Sequence, residues 1–479
     1  MRHESLLKDI CRSHCAVLGF GVSNRPLVRF LLELGVSSIT VHDKKSIEEL
    51  GEDAQTLASR GVGFVTGESY LDEIDADVIF RSPGIRDDKG GIPKALARGA
   101  YLTSEMELFF ALTPARIIAV TGSDGKTTTT TLVSKILAAE LENGGKGKVY
   151  VGGNIGEPLL PYVKEMTEDD FAVVELSSFQ LRTMKQSPWR AVITNLSPNH
   201  LDWHTDMEEY IESKRNICSH PEITLLVTNA ENSVTARLAV EQKGRVTLFS
   251  SKTDDGERLV GGNAERHAVY ERNGEICLFD GKSESVILKT AEIRLVGRHN
   301  VENYMAAIGV LEGLVSAESV RKIATTFGGV EHRLEFVREL GGVRYFNSSI
   351  DSTPSRTAAA LMALNEKPII ICGGYDKHIP FDDFGRVLCE RAKAVVLTGA
   401  TAPLIAEAIQ NAGMEAPPVY LVPDFKDSVL RCRALAQRGD IVLLSPACAS
   451  FDAFVNFEAR GRFFKKIVTE MEENKNGTL

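Results

Sequence analysis

The amino-acid sequence predicts an α/β protein of three tandem domains, each built around a mainly parallel sheet. Length is the first reason, because 479 residues are too many for one hydrophobic core and suggest about three domains. The second reason is that short apolar runs alternate with helical segments, a pattern typical of parallel sheets. The third is that these runs end in polar loops, where ligands of such sheets gather.

The first region, residues 1–112, begins with a strand, a glycine turn and an amphipathic helix in "CAVLGFGVSNRPLVRFLLELG". A second strand, "SITVHD", ends at Asp43, where dinucleotide-binding folds hold a ribose. Asn24 occupies the position of that fingerprint's third glycine, so the pattern supports an α/β domain better than it supports nucleotide binding. We predict a Rossmann-like domain, in which "DVIFRSPG" adds a strand before a Ser-Pro-Gly turn.

The second region, residues 113–330, starts beside Pro114 and is predicted to be a central nucleotide-binding domain of the phosphate-loop type. Its strand "RIIAVTG" leads through a glycine-rich loop into the helix "TTTTTLVSKILAAEL". The strands "FAVVEL", "AVITNL" and "TLLVTNA" follow, each before a polar loop or a helix. Residues 250–292, rich in Gly, Asp and Glu, predict an excursion that carries a hairpin.

The third region, residues 331–479, repeats the doubly wound pattern and is predicted to be a second Rossmann-like domain. Its strands are "PIIICGG", "AVVLTG", "PVYLV" and "DIVLLSPA", with helices between them. The last strand runs into Ser-Pro and then a helix, which again places polar residues at a strand end.

Net charge, apolar runs and cysteine content limit the kinds of partner and compartment that we expect for this protein. A net charge of -10 argues against broad binding to nucleic acid or to anionic membranes. The N-terminus lacks the apolar core of a signal peptide, and no apolar run approaches the ~20 residues of a membrane span. The 8 cysteines are scattered, which favours buried thiols in a reducing compartment. We therefore expect a cytoplasmic monomer that acts on small molecules, without nucleic-acid or membrane partners.

The loop in "AVTGSDGKTTTTTLV" predicts phosphate binding. The usual phosphate loop, G-x-x-x-x-G-K-[ST], would need its first glycine at Val120. A glycine turn at a helix N-terminus still offers backbone N–H groups to phosphate oxygens. Lys126 can add a positive charge and Thr127 a hydroxyl for Mg²⁺. The loop is therefore interpreted as a variant with its own spacing.

Carboxylate and imidazole groups follow in the same region. Glu175 ends a buried strand and is either simply solvated or a ligand of Mg²⁺. His200, Asp202 and His204 suggest a transition-metal cluster, although a surface loop is the alternative.

The helix after these histidines carries an unusual lysine. Thr205 and Glu208 form the pattern of a capping box, which starts the helix near Asp206. Lys214 then lies in the middle of an apolar stripe, where it either snorkels outward or points into a cleft. The other members of the stripe are Met207, Tyr210, Ile211, Ile217 and Cys218.

The motifs "TGSDGKTTT", "GRHNVENY" and "EHRLEF" occur in the order of the Mur ligases, and the chain resembles that family along nearly its whole length. The resemblance implies an ATP-dependent amide ligase that uses Mg²⁺ and a carbamylated Lys214. It implies catalytic roles for Lys126, Glu175, His200 and Lys214, and Mg²⁺ ligands at Thr127, Glu175, His200 and Lys214. It places ATP at Gly122, Ser123, Asp124, Gly125, Lys126, Thr127, Thr128, Asn300, Asn303 and Arg333.

The stretch "SPACASFDAFVNFEARGRFF" resembles those Mur ligases that add D-glutamate to UDP-N-acetylmuramoyl-L-alanine through an acyl phosphate, in cytoplasmic peptidoglycan precursor synthesis. By this resemblance D-glutamate binds at Lys377, Ser450, Phe451 and Phe457. The UDP-sugar binds at Val22, Ser23, Asp43, Ser82 and Asn154. The alternatives are a Mur ligase for another amino acid and a nucleotide-binding regulatory protein without turnover.

One segment departs from the family. Its usual Asn-Asp-Ser is replaced here by Asn347, Ser348 and Ser349, so the acid is missing. Asp351, three residues on, is our candidate to replace it.

Overall fold

The computed structural model describes residues 2–200, 203–263, 265–295, 297–364, 366–377 and 379–472. It contains three sheets, within residues 14–103, 116–289 and 335–444. Its internal contacts divide the chain into two compact units. The first unit runs to Ile293 and includes His299–Thr325, and it holds the first two sheets; the second unit holds the third sheet. The predicted boundaries at residues 112 and 330 stay predictions.

The first sheet has five parallel strands in the order β3-β2-β1-β4-β5. Its strand order reverses between β1 and β4, which makes a crevice where open α/β sheets bind ligands. The elements are α1 Arg2–Arg12, β1 His14–Leu18, α2 Asn24–Glu33, β2 Ser38–Asp43, α3 Ile47–Leu50, α4 Glu52–Ser59, β3 Gly63–Thr66, β4 Val78–Arg81, α5 Ile92–Ala97, β5 Tyr101–Thr103 and α6 Glu105–Leu112.

The turn after β1 shows how the incomplete glycine fingerprint still folds. Gly19 has a φ of 82°, a conformation that favours glycine. Asn24 is buried, and its Nδ2 donates hydrogen bonds to the carbonyls of Leu18 and Gly19 at 3.1 and 2.8 Å. The asparagine therefore closes the turn from within.

The second sheet has nine strands in the order β14-β13-β12-β11-β10-β9-β6-β8-β7. The elements are β6 Arg116–Thr121, α7 Lys126–Glu142, β7 Val149–Gly153, β8 Phe171–Glu175, α8 Ser178–Leu181, β9 Arg190–Ile193, α9 Met207–Arg215, β10 Leu225–Asn229, α10 Ser233–Glu241, β11 Arg245–Ser250, α11 Gly256–Val260, β12 Arg266–Arg272, β13 Glu275–Phe279, β14 Glu284–Lys289, α12 Arg298–Leu311 and α13 Ala317–Thr326. Short 3₁₀ turns occupy Leu160–Tyr162, Asn216–Cys218 and Thr290–Glu292. The predicted hairpins are present as antiparallel β12–β14, and they extend the sheet because β12 pairs in parallel with β11.

The third sheet has the order β15-β16-β20-β17-β18-β19, with β15 antiparallel at one edge and the other strands parallel. Separate apolar clusters cover its two faces, as expected for a sheet between two helix layers. The elements are β15 Glu335–Leu340, β16 Val343–Asn347, α14 Pro354–Ala363, β17 Ile369–Cys372, α15 Asp382–Arg391, β18 Ala394–Leu397, α16 Ala402–Gln410, β19 Val419–Leu421, α17 Phe425–Leu435, β20 Ile441–Leu444 and α18 Phe457–Glu470.

Arg81, at the end of β4, ties the first sheet to the second. Its side chain is 1% exposed. The guanidinium donates to the carbonyls of Pro83 and Ile85 at 3.0 and 2.6 Å, and to the Phe179 carbonyl and Thr183 Oγ1 at 2.8 and 3.1 Å. One buried cation therefore holds both the turn after β4 and the start of the segment around α8.

All 8 cysteines are free thiols, and each of them except Cys11 is buried, as predicted. In the part of the chain that the structure describes, no helix is long and apolar enough to cross a bilayer.

Candidate active site

The predicted phosphate loop joins β6 to α7, and its glycines are required by close approach. Gly122 has a φ of 147°, and a Cβ there would lie 1.9 Å from Thr194 Oγ1. Gly125 has a φ of 77°, and a Cβ there would lie 2.4 Å from Asn303 Oδ1. The loop therefore leads, with no side chain at these two positions, into the N-terminus of a 17-residue helix. The first N–H groups of a helix have no acceptors within the helix.

The loop after β9 holds the phosphate loop in place. Asn195 accepts from Ser123 N at 2.8 Å through its carbonyl and from Asp124 N at 3.0 Å through Oδ1. Thr194 Oγ1 donates to the Asp124 carbonyl at 2.5 Å, and Ser123 Oγ donates to the Ser197 carbonyl at 2.9 Å. These four hydrogen bonds hold the main chain of the phosphate loop.

Glu175 lies at the end of β8, beside Val120 of β6. It is 2% exposed, so the interpretation as a solvated strand end is wrong. Its Oε2 accepts from Thr127 Oγ1 at 2.7 Å, and its Oε1 accepts from Asn154 Nδ2 at 2.8 Å. Thr127 and Asn154, which the family resemblance assigns to ATP and metal binding and to sugar binding, therefore meet at the Glu175 carboxylate.

Lys214 of α9 points inward. It is 2% exposed, so the snorkelling alternative is wrong, and its Nζ donates to Thr121 Oγ1 at 3.0 Å. Burial lowers the pKa of Lys214 well below its usual value, and the charge of Lys126 lowers it further, against the opposing effects of Glu175 and Asp124. Lys126 itself donates to the Ser123 carbonyl at 2.9 Å. The two lysines and the carboxylate thus share one electrostatic environment.

The start of α9 differs from the prediction by one residue. The helix begins at Met207, and its cap is Asp206, whose Oδ1 accepts from Glu209 N at 2.8 Å. The predicted Thr205–Glu208 capping box is wrong because Glu209, the next residue, takes the Thr205 N–H. Arg86 and Arg182 also bind the Glu209 carboxylate and keep it at this end of the helix.

The histidines before α9 lie in different environments. His200 is exposed, has a φ of 55°, and its ring centroid is 5.0 Å from that of Phe179. His204 is buried, with Nε2 2.9 Å from Ser178 Oγ and Nδ1 3.4 Å from Glu209 Oε2. Asp202 lies outside the described residues. These contacts commit His204 to protein partners, which argues against a transition-metal cluster.

Asn300 and Asn303 support the phosphate loop from α12. Both are buried, and Asn303 Nδ2 donates to Asn300 Oδ1 at 3.0 Å. Thr129 Oγ1 donates to Asn303 Oδ1 at 3.2 Å, and the same oxygen faces Gly125. This bracing role was missed from the sequence, although the exact one-turn spacing of the pair was visible. Contact of these side chains with adenine stays a prediction.

Four of the five residues predicted to hold the sugar nucleotide lie where β1, β2 and β4 end, whereas Asn154 follows β7 of the second sheet and donates to Glu175. Val22 is 74% exposed beside half-buried Ser23, and a Cβ on Gly19 would lie 3.1 Å from Ser82 Cβ. Asp43 holds the neighbouring turns, since Oδ2 accepts from Phe20 N at 2.7 Å and Oδ1 from Lys45 N at 2.9 Å. The structure therefore brings these four side chains to one strand-end crevice.

The residues predicted to hold the amino acid lie at the carboxyl ends of β17 and β20. A bridge between Tyr375 and Ala449 joins the two loops. Lys377 is exposed, Ser450 is buried, and Phe451 is 64% exposed with its ring 6.0 Å from that of Tyr375. Phe457 starts α18 and packs edge-to-face on His332 at 6.0 Å, so it lies toward the Arg333 loop.

Arg460 of α18 is a buried residue that sequence reasoning missed. It is 2% exposed and donates to Ser349 Oγ and to the carbonyls of Ser349, Cys448 and Ala449 at 3.0–3.1 Å. It thus ties the loop after β16 to the loop after β20. Its place on the inward face of α18, four residues before Phe464, could have revealed it.

Glu331, His332 and Glu335 bring possible metal ligands together. Lys465 Nζ already lies 3.2 Å from Glu331 Oε1 and 2.5 Å from Glu335 Oε1. An ammonium group therefore neutralises this acidic cluster. Arg333, between these residues, is exposed.

Known proteins resemble the chain over nearly its whole length. The Mur ligase middle domain matches residues 120–311, and the Mur ligase, glutamate ligase domain matches residues 332–448. The UDP-N-acetylmuramoylalanine--D-glutamate ligase of Clostridium novyi is 47% identical over 470 residues, 97% of this chain and 98% of that protein. The ligase of the same name from Ruminiclostridium cellulolyticum is 43% identical and covers 98% of this chain and 99% of its own length.

Solved structures share the fold. The UDP-N-acetylmuramate-alanine ligase MurC of Thermotoga maritima superposes with a TM-score of 0.54 at 18% identity, over 96% of this chain and 99% of its own. A UDP-N-acetylmuramoyl-L-alanyl-D-glutamate--2,6-diaminopimelate ligase gives 0.54 at 16% identity, over 95% and 92%. At such identities the likeness shows the fold alone, and the predicted α/β fold with three mainly parallel sheets is confirmed. Taken with the two matched domains and the near full-length relatives, it shows that the chain belongs to the Mur ligase family.

Proposed function

We propose that this protein is an ATP-dependent ligase that joins D-glutamate to UDP-N-acetylmuramoyl-L-alanine in cytoplasmic peptidoglycan precursor synthesis. The observation that carries the proposal is the meeting of Lys126, Thr127, Glu175 and Lys214 around one glycine-bounded loop. The choice of D-glutamate is supported by relatives named UDP-N-acetylmuramoylalanine--D-glutamate ligase, which are 43–48% identical over 95–98% of the chain. We expect a monomer.

The loop residues fit a nucleotide with its divalent cation. Gly122 and Gly125 leave bare main chain at the start of α7, where phosphate oxygens can accept N–H groups. The Thr127 hydroxyl and the Glu175 carboxylate, 2.7 Å apart, are hard oxygen donors of the kind that Mg²⁺ prefers. These two residues and His200 would hold the ion, which offsets negative charge when it is bound.

Lys214 is proposed to react with CO₂. The neutral amine attacks the carbon, a N–C bond forms and one proton is released, which leaves a carbamate with two oxygen acceptors. Burial at 2% exposure, with a hydrogen bond to Thr121 as the one that Nζ donates among the described residues, supports this use of the amine. The change also turns repulsion from Lys126 into attraction, and the oxygens would add ligands for Mg²⁺.

The reaction begins when the substrate's carboxylate attacks the γ-phosphorus of ATP, which gives an acyl phosphate and ADP. Lys126 and Arg333 offset the charge on the transferred group. The neutral amine of D-glutamate then attacks the acyl carbon, loses a proton, and phosphate leaves as the amide forms. In this proposal the sugar nucleotide contacts Val22, Ser23, Asp43, Ser82 and Asn154, and D-glutamate contacts Lys377, Ser450, Phe451 and Phe457.

The proposal is tested by phosphate release in the presence of ATP, Mg²⁺ and UDP-N-acetylmuramoyl-L-alanine. D-glutamate, L-glutamate and diaminopimelate are offered in turn, and we expect release with D-glutamate alone. Release with diaminopimelate would reassign the amino acid within the family. Nucleotide binding without release under every condition would favour the regulatory alternative.

A further inference from the structure

Three loops at the carboxyl end of the third sheet, those after β17, β18 and β20, approach one another closely. Gly374 of the first loop has a φ of 151°, and a Cβ there would lie 2.3 Å from the Ala449 carbonyl oxygen of the third. Gly399 of the second loop has a φ of 73°, and a Cβ there would lie 2.8 Å from Gly374 Cα. The loops that carry the predicted amino-acid ligands are therefore packed main chain to main chain around Gly374.

Thr401 holds this meeting point. It is 0% exposed, and its Oγ1 accepts from Gly374 N at 3.1 Å and donates to the Gly374 carbonyl at 3.1 Å. The Thr401 main-chain N donates to the same carbonyl at 3.1 Å. Because the hydroxyl has only one proton, the Cys448 thiol, with Sγ 3.1 Å from Oγ1, is the donor of their contact. One side chain thus binds both polar groups of Gly374 and contacts the loop after β20.

Helix capping does not account for this threonine. Thr401 is the N-cap residue of α16, a position from which a threonine side chain ordinarily accepts an N–H of the first turn. Among the residues that the structure describes, its hydroxyl makes no such bond, and Pro403 of that turn has no N–H to give. The hydroxyl is turned toward Gly374 instead.

Gly374 leads directly into the residues predicted to hold the amino acid. The next residue, Tyr375, donates its N–H to the Ala449 carbonyl at 3.0 Å. The Tyr375 ring lies edge-to-face on the Phe451 ring, with their centroids 6.0 Å apart. Lys377 follows two residues later. A displacement of Gly374 is therefore passed on to both loops of the predicted amino-acid site.

We propose that Thr401 is the positioning residue of the amino-acid site, and that it fixes Lys377 and Phe451 through its hydrogen bonds to Gly374. The inference rests on the proposed function, in which Lys377 and Phe451 contact D-glutamate. Binding groups need supports that hold them in place, and a buried hydroxyl supplies such a support without touching the substrate. Affinity for D-glutamate should therefore depend on Thr401, whereas affinity for ATP should not.

The test compares Thr401→Val with Thr398→Val in the phosphate-release assay. Valine keeps the branched shape and removes the hydroxyl that binds Gly374. Thr398 is a matched control, because it is a buried threonine of the same loop whose Oγ1 donates to the Pro423 carbonyl at 3.0 Å. We expect Thr401→Val to raise KM for D-glutamate about tenfold and to leave KM for ATP within about twofold. Thr398→Val should leave both values within about twofold.

Two further variants of Thr401 grade the effect. Thr401→Ser keeps the hydroxyl and should leave KM for D-glutamate within about threefold of the unchanged protein. Thr401→Cys offers a thiol, a weaker hydrogen-bonding group, and should raise this KM by about threefold to tenfold.

An unchanged KM for D-glutamate in Thr401→Val, an equal rise in KM for ATP, or a rise beyond about threefold in Thr401→Ser would overturn the inference. Should Thr401→Val fail to fold, Thr401→Cys decides: a rise of about threefold or more in KM for D-glutamate alone supports the inference, and any other result overturns it. Absence of D-glutamate-dependent release from the unchanged protein would instead count against the proposed function.

Discussion

Two equally buried basic side chains, Lys214 in the first unit and Arg460 in the second, are satisfied in different ways. Each is 2% exposed. Arg460 donates to a hydroxyl and to three main-chain carbonyls, those of Ser349, Cys448 and Ala449. Within the described ranges, Lys214 Nζ donates one hydrogen bond, to Thr121, and lies 5.0 Å from the centre of the Tyr210 ring. Depth of burial alone therefore does not identify a side chain that takes part in chemistry.

The protonation of the two groups follows the same contrast. Burial lowers the pKa of Arg460 to about 10, so this guanidinium stays charged at neutral pH. Burial and then the charge of Lys126 lower the pKa of Lys214 well below its usual value, against the opposing effects of Glu175 and Asp124. The arginine holds two loops together through four hydrogen bonds, whereas Lys214 is held by Thr121 beside Lys126 and Glu175.

The largest expected effect is the loss of activity in Lys214→Ala. Removing the amine removes the proposed carbamate, and turnover should fall on the order of 10³-fold. Added formate or acetate should restore part of it, because a small carboxylate can supply the missing oxygens. Phosphate release measures both effects. Undiminished activity without added acid would make Lys214 an inert buried amine.

A comparison of Arg460→Met with Lys214→Met tests directly whether the two buried side chains differ in how much they stabilise the fold. Arg460→Met leaves buried carbonyls without donors and should lower the free energy of unfolding by about 3 to 5 kcal/mol. Lys214→Met should change it by less than about 1 kcal/mol, since an apolar chain fills the same space. Denaturant unfolding measures both. Equal losses would break the comparison.

Glu105 tests whether an incompletely hydrogen-bonded buried carboxyl group affects stability outside the candidate active site. It starts α6, is 4% exposed, and its Oε1 has no hydrogen-bond partner in the described part of the chain. Burial raises the pKa of Glu105 to about 7, against an opposing N–H from Leu160. A raised carboxyl pKa means that folding favours the protonated form, so stability is lost as pH rises from about 4.5 through 7.

Glu105→Gln should therefore raise the free energy of unfolding by about 2 kcal/mol at pH 8 and change it little at pH 4.5. Denaturant unfolding at the two pH values measures the difference. Glu107→Gln is the companion variant, because burial raises the pKa of Glu107 to about 7 as well, and a gain of similar size is expected at pH 8. A gain of equal size at both pH values would contradict the titration.

The smallest expected effect comes from His332, a buried group whose Nδ1 accepts a hydrogen bond from Asn347. Burial lowers the pKa of His332; Glu331 and Glu335 oppose the change, and Lys465 and Arg462 add to it. Folding thus favours neutral imidazole, and stability is lost as pH falls below about 6.5.

Between pH 7.5 and 5.5 we expect the His332 contribution to fall by about 1 kcal/mol. Burial also lowers the pKa of His42, His204 and His299, so the measurement is the difference between the unchanged protein and His332→Gln. If the unchanged protein and His332→Gln showed the same pH dependence of the free energy of unfolding, this contribution of His332 would be contradicted.

The sequence predicted most of the fold because its signals are local. Strand, loop and helix follow one another in each region, and the resulting parallel sheets appear where the apolar runs lie. The glycine-rich loop was predicted for the same reason, since its residues are contiguous. Periodicity also placed Lys214 on an apolar face, but it could not decide which way the amine turns.

The features that could not be predicted from the sequence depend on contacts between residues far apart in the chain. The bracing of Gly125 by Asn303 joins residues 178 positions apart, and Arg460 reaches back to Ser349 over 111 positions. The shift of the α9 cap has the same cause, because Arg86 draws Glu209 from 123 positions away. Such pairings carry no periodic signal.

The Arg81 contacts couple the crevice between β1 and β4 mechanically to α8. Ser82 follows this arginine directly, and the Phe179 carbonyl and Thr183 hydroxyl on its other side belong to the segment that follows Glu175. A compound that wedges this crevice open would therefore displace a buried guanidinium, and through it the backbone just beyond Glu175, without contacting the phosphate loop.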